Sequence, residues 1–260
     1  MTRSAPVLTL AAMLAATSAG AQPGAELLVS VRDTAGSPVT GLTAEAVSLE
    51  RDGVPVPIVS LTPLPPTVQV VAVFEGLAVT QRQLNSALAR FIGVLDAESV
   101  VDMQSVDGPL DAAILQAISD LHDRDAPQPV VVMLGQASEI GRSDLQSSQV
   151  RGRRQAADLS GDVEGIRQAL AAHGIPLYGV SVTDRALDNL TELANHSGGR
   201  FEIIDSPDRL ADTLDGIGLE LGARYLIRYD ASILNPPPVV RIDRPDTRVS
   251  AVPYRPTHER

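Results

Sequence analysis

Val68-Gln69-Val70-Val71-Ala72-Val73-Phe74-Glu75-Gly76-Leu77-Ala78-Val79 is the stretch whose reading decides the fold. The run up to Phe74 is nearly all apolar and largely β-branched, the pattern of a strand covered on both faces in a parallel sheet. The segment that follows, Thr80 to Leu95, repeats Leu84, Leu88, Phe91 or Ile92, and Leu95 at helical spacing, with Thr80 placed to cap the first turn. The unit is therefore strand, loop, helix. In an open α/β sheet the loops beyond the carboxyl ends of the strands form the ligand crevice, so Glu75 to Val79 is expected to face a ligand. Its composition is unusual for such a place, because Glu75 is its sole charged residue.

The same alternation continues along the chain. Strands are predicted at Ser99–Gln104, Pro129–Leu134, Pro176–Val182, Arg200–Ile204 and Ala223–Tyr229. Helices are predicted at Pro109–His122, Asp162–Ala172, Ala186–Asn195 and Asp208–Leu221. Ser160 and Gly174 mark the start and stop of one helix, and Ser206-Pro207 supply an N-cap and a first helical residue for the last. Strands alternating with helices of this length predict an α/β fold, a doubly wound and mostly parallel sheet joined by right-handed crossovers. Between Ala137 and Ser160 the chain is polar and lacks apolar periodicity, and it contains Arg151-Gly152-Arg153-Arg154, read as a solvated loop.

Two flanking parts have different grammar. Glu26 to Leu61 holds short alternating runs with turns at Ala35-Gly36 and Asp52-Gly53, as in β hairpins. Pro63-Leu64-Pro65-Pro66 reads as a stiff link into the sheet. Beyond Asn235-Pro236-Pro237-Pro238, the runs Val239–Asp243 and Arg248–Val252 read as a short hairpin completing a small β domain with the N-terminal segment. The expected division is a signal peptide over 1–21, a small β domain over 22–62, the α/β domain over 67–231 and the C-terminal hairpin over 239–256.

Several stretches together carry a resemblance. They are Ser30-Val31-Arg32-Asp33-Thr34-Ala35-Gly36-Ser37-Pro38-Val39-Thr40-Gly41-Leu42-Thr43, Leu49-Glu50-Arg51-Asp52-Gly53, Ala172-His173-Gly174-Ile175-Pro176-Leu177-Tyr178, Leu193-Ala194-Asn195-His196-Ser197-Gly198-Gly199-Arg200-Phe201, and Leu221-Gly222-Ala223-Arg224-Tyr225-Leu226-Ile227-Arg228-Tyr229. In order and spacing the chain resembles the von Willebrand factor A family, and more closely its bacterial secreted subgroup, the VWFA-related domain proteins. Such domains bind a divalent cation through an Asp-x-Ser-x-Ser loop after the first strand. The resemblance sets the Asp on Phe74 and the two serines on Gly76 and Ala78. It sets the family's threonine on Gly108, and the aspartate ending the fourth strand within Met133-Leu134-Gly135-Gln136. Magnesium needs several hard oxygen ligands; Phe74, Gly76, Ala78 and Gly108 supply none and Met133–Gln136 holds no carboxylate, so no metal and no other cofactor is expected. Glu75, Asp102, Asp107, Asp111 and Asp184 could instead converge on a rebuilt cation site, with Glu139 and Asp144 nearby. Scattered carboxylates without ligand spacing point to ordinary loop and helix-start positions.

Composition narrows the function classes. Met1-Thr2-Arg3, the apolar run Ala5 to Ala16 and Ser18-Ala19-Gly20-Ala21 match a secretory signal cleaved after Ala21, predicting a secreted or periplasmic protein. No other segment has the length of a membrane span, so no membrane insertion is expected. There is no cysteine, which excludes a disulfide framework, a lipoprotein anchor and thiol chemistry. A net charge of -11 argues against nucleic acid, and every cation is arginine. The histidines His122, His173, His196 and His258 show no metal-ligand spacing, and no nucleophile elbow, Walker loop or Rossmann fingerprint is present. The chain is therefore read as a non-catalytic, metal-independent module that binds a protein. Its candidate surface is the carboxyl edge, Glu75, Gly76, Leu77, Ala78 and Val79, with Gly108, Pro109, Gly135 and Gln136 beside them. Two alternatives stand beside it: a metal-dependent adhesion domain rebuilt around Glu75, and a structural scaffold whose contacts come from the β domain.

Overall fold

The computed structural model describes residues 25–74, 81–106, 109–135, 163–182, 188–230 and 237–254. The signal segment, the Thr80 and Ser160 caps, the 137–160 stretch with Arg151–Arg154, and the tail after Pro256 lie outside them.

The described elements begin with strands and helices that lead into the parallel sheet. They are β1 (Ala25–Asp33), β2 (Val47–Arg51), β3 (Val54–Val56), β4 (Ile58–Pro63), β5 (Gln69–Phe74), α1 (Gln81–Val94), β6 (Val100–Ser105), α2 (Leu110–Asp123) and β7 (Pro129–Gly135). After them come α3 (Val163–His173), β8 (Leu177–Val182), α4 (Asp188–Ser197), β9 (Phe201–Ile204), α5 (Leu210–Leu221), β10 (Tyr225–Tyr229), β11 (Val239–Ile242) and β12 (Thr247–Pro253). A 3-10 turn at Pro207–Arg209 leads into α5, and the Ser206 side chain accepts a hydrogen bond from the Asp208 amide at its start.

Strands β6-β5-β7-β8-β9, in that spatial order, form a five-stranded sheet in which every pairing is parallel. Period-two alternation sends its side chains to two cores. Val71, Val73, Val131 and Met133 pack under α2, α3 and α4, against Leu110, Ile114, Ile118, Ile166, Leu170 and Leu193. Val70, Val130, Val132, Leu134 and Val180 pack under α1 and α5, against Leu88, Phe91, Leu210, Leu214 and Ile217. Helices on both faces explain why β5 and β7 read as continuous apolar runs, and they make the arrangement compatible with a doubly wound fold.

The segment Ala223–Tyr229, expected to end the parallel alternation, does something else. Its strand β10 runs antiparallel between β1 and β4, in a four-stranded sheet of order β12-β1-β10-β4. Tyr225, Ile227 and Tyr229 are buried while Arg228 is exposed. That alternation is the mark of a half-covered antiparallel strand, and it distinguishes β10 from β5 or β7. The C-terminal pair also departs from the expected hairpin: β11 pairs with β2, and β12 pairs with β1 over Leu27–Asp33. The three-stranded sheet β11-β2-β3 turns tightly at Asp52-Gly53, where φ values of 51° and 78° suit a two-residue primed turn. A third core, built from Leu27, Val29, Val31, Leu49, Tyr225 and Ile227, lies among these antiparallel strands.

Gly216 sits inside α5, where an added Cβ would meet only the Arg200 guanidinium at 3.6 Å, an ordinary contact. Glycine loses more backbone entropy on folding than alanine in a helix. Gly216→Ala should therefore stabilise the chain by about 0.5–1 kcal/mol, read as a raised urea midpoint with unchanged slope.

Candidate functional site

Five parallel strands end on one side of the sheet, and the register brings their last residues together. Phe74 lies level with Ser105 and Leu134, and Gly135 with Ser181. The Val106 amide donates to the Phe74 carbonyl at 2.8 Å, which holds the β5 and β6 ends side by side as they leave the sheet. Of the residues proposed for this edge, Pro109 and Gly135 are described. Glu75, Gly76, Leu77, Ala78, Val79, Gly108 and Gln136 lie outside the described residues.

Pro109 is exposed and occupies the N-cap position of α2, with φ -61° and ψ 136°. Proline's fixed φ suits a helix start, and its carbonyl accepts from the Ala113 amide at 3.3 Å. Gly135 is the buried last residue of β7. Phe74 is half-buried against the α1 and α5 core. Met133 and Leu134 are fully buried in opposite cores. Phe74, Met133 and Leu134 contribute apolar packing to the two cores.

The described members of the alternative carboxylate set do not converge. Asp102 is ion-paired with Arg124, which follows the C-terminal end of α2. Because α2 runs back from the carboxyl edge to the start of β7, that pair lies toward the amino-terminal end of the sheet. Asp111 accepts from the Ala112 amide at 2.7 Å in the first turn of α2, where a negative charge favours the helix dipole. Glu75, Asp107, Asp184, Glu139 and Asp144 are outside the described residues. Among the described residues, no three His, Cys, Asp or Glu side chains are grouped to hold a metal ion.

Two constellations escaped the sequence reading. The first is a buried carboxylate. Glu220, on the inner face of α5 and 1% exposed, accepts hydrogen bonds from Ser30 Oγ at 2.9 Å, Tyr178 Oη at 3.2 Å and Arg200 Nε at 2.7 Å. Arg32 Nε lies 3.3 Å from the same carboxylate, and Arg200 also pairs with Glu202. Ser30 and Arg32 come from β1, Tyr178 from β8 and Arg200 from the approach to β9, so Glu220 joins the antiparallel sheet to the parallel one. Burial, with the Glu220 charge close by, pushes the Tyr178 phenol far above its ordinary range. Burial pulls the Arg200 guanidinium down, and Glu220 opposes that pull. The signal was present: Glu220 falls three residues after Ile217 and one before Leu221, on a largely apolar face as its sole charged residue.

The second is a pair of imidazoles. His122 and His173 close α2 and α3, and their ring centroids are 4.1 Å apart with planes inclined by 42°. Burial and the His122 ring lower the His173 pKa from its ordinary value, and Asp123 acts the other way. A histidine whose folded pKa is depressed binds fewer protons than the unfolded chain below about pH 6.5, so stability is full above that pH and falls as pH drops through the folded pKa. His173→Gln should make the urea midpoint less sensitive between about pH 6.5 and 5 than in the parent chain. Parallel pH profiles for the two proteins would refute this.

Among the described residues no helix is long and apolar enough to cross a membrane. No protein-family model, no curated protein and no solved structure matches the chain.

Proposed function

We propose that this chain is an exported, non-catalytic module of von Willebrand A type that captures a protein partner without a metal ion, at the carboxyl edge of its parallel sheet. The observation that carries the reading is that the described residues of that edge, Phe74, Pro109 and Gly135 with Ser105 level with Phe74 and Ser181 level with Gly135, include no carboxylate. Apolar and backbone groups at a strand-end crevice suit contact with a protein surface better than coordination of a hard cation. The sequence resemblance supplies the family, and the acidic balance of -11 favours a protein partner over nucleic acid.

The test has two arms. Partner capture by the full chain should persist in chelator and be lost in a Leu77→Asp, Val79→Asp double variant that melts like the parent. Excess magnesium or calcium should leave the melting midpoint unmoved. A cation at a hundredfold over its dissociation constant would add about 2.7 kcal/mol. A saturable rise with magnesium would overturn the metal-independent reading in favour of a site rebuilt around Glu75.

A second reading, a scaffold whose contacts come from a small β domain, is favoured by one observation. Val54, Val59 and Val239, on β3, β4 and β11, are 59%, 63% and 60% exposed. Capture that survives the double variant but is lost in Val54→Asp or Val239→Asp would select it.

A further inference from the structure

We propose that His122 and His173 form a two-imidazole site for a first-row divalent transition ion of the copper, nickel or zinc class. The two rings come from different helices and different stretches of sequence, yet they meet at 4.1 Å between centroids. His122 Nδ1 is buried and has no hydrogen-bond partner. A shielded ring nitrogen left unpaired is destabilising, and buried polar groups normally find a partner. Coordination of either ring would fix its tautomer, and the half-buried positions of both residues leave an approach from solvent.

Three further features fit a cation here. Imidazole nitrogen is a borderline donor that suits copper, nickel and zinc and discriminates against magnesium and calcium, which want oxygen. Metal binding requires the neutral ring, and burial together with the neighbouring imidazole already holds His173 toward that form. Both residues sit in the last turns of α2 and α3, where the helix dipoles present partial negative charge, and Asp123 adds a carboxylate next to His122. Asp123 is the charged group that acts on His173, and Arg124, the next residue, is paired with Asp102. With two protein ligands, water completes the coordination shell, so the site is open and exchangeable, unlike a closed four-ligand structural centre.

The site lies at the opposite end of the helices from the carboxyl edge, so it can fail or hold independently of the proposed capture function. The test is calorimetric titration of the full chain with nickel and with zinc, beside copper titration followed by electron paramagnetic resonance. One equivalent should bind saturably, with a nitrogen superhyperfine pattern for copper. Affinity should drop at least tenfold in both His122→Ala and His173→Ala, stay unchanged in His196→Ala, and weaken as pH falls from 7.5 to 5.5. His122→Asn and His173→Asn, checked by circular dichroism, give the same reading if an alanine variant does not fold. Absence of saturable binding would overturn the proposal. So would wild-type affinity in a folded His122 or His173 variant, or loss of binding in His196→Ala.

Discussion

Replacing Glu220 with alanine should lower the urea midpoint by about 1 M or more. Glu220 holds four groups, Ser30, Arg32, Tyr178 and Arg200, and its own carboxylate is almost fully enclosed. Removing it leaves the Arg200 guanidinium, with a side chain 8% exposed, without its buried counter-charge. Breaking a buried pair from one side typically costs 3–5 kcal/mol, because an uncompensated charge stays inside. With a slope of about 3 kcal/mol/M, that loss corresponds to roughly 1–1.7 M of urea. Glu220→Gln should cost less, since one acceptor oxygen remains for Ser30 and Tyr178 while the charge is lost. Arg200→Met combined with Glu220→Met should recover much of the loss, because the pair is then replaced rather than broken. An alanine variant within about 0.5 kcal/mol of the parent would mean that Glu202, water or rearranged side chains satisfy Arg200.

A single added methyl at Gly199 should be nearly as damaging. Its Cβ would lie 2.6 Å from the Leu177 carbonyl carbon and closer still to the oxygen, so the clash is with backbone that no rotamer change can move. The surroundings are tied on both sides. The Gly199 amide donates to the Ala194 carbonyl at 3.0 Å, and the Gly179 amide donates to the Arg200 carbonyl at 2.9 Å where β8 meets β9. Overpacking in a tight core costs about 1–3 kcal/mol and occasionally more, and a rigid backbone neighbour puts Gly199→Ala at the upper end. The melting midpoint should fall by roughly 6–12 °C. Gly179→Ala offers a contrast, because there the obstacle is the Phe201 ring, which can turn. If Gly199→Ala melts within a few degrees of the parent, the β8 and β9 approach is looser than these contacts require. Arg200 follows Gly199 directly, so Gly199→Ala and Glu220→Ala should not add independently.

What could be read from the chain followed from how local each signal was. β5, β7 and β8 were legible because strands buried on both faces need unbroken apolar runs, and Ser206-Pro207 announced the last helix start through cap chemistry. β10 misled because its position, straight after a helix, matched the rhythm of the parallel strands. The alternation of Tyr225, Ile227 and Tyr229 with Arg228 carried the correct signal. Strand pairing such as β12 with β1 joins residues more than two hundred positions apart, and no local pattern specifies it. The same distance hid the site chemistry. His122 and His173 looked like two helix ends until the α2 and α3 packing set their rings together, and Glu220 looked like one more acidic residue in an acidic chain.

The order β12-β1-β10-β4 also sets a timetable. β1 is synthesised roughly two hundred residues before both of its ladder partners, Tyr225–Tyr229 and Thr247–Pro253. Between them, the strands and helices from Gln69 to Leu221 can close a parallel sheet from contiguous sequence. The antiparallel sheet must wait, and Ser30 and Arg32 reach Glu220 only when it forms. Non-local strand pairing is slow, and an unpaired strand invites association with other chains meanwhile. β1 therefore remains an open edge until Tyr225–Tyr229 and Thr247–Pro253 are available to pair with Ala25–Asp33.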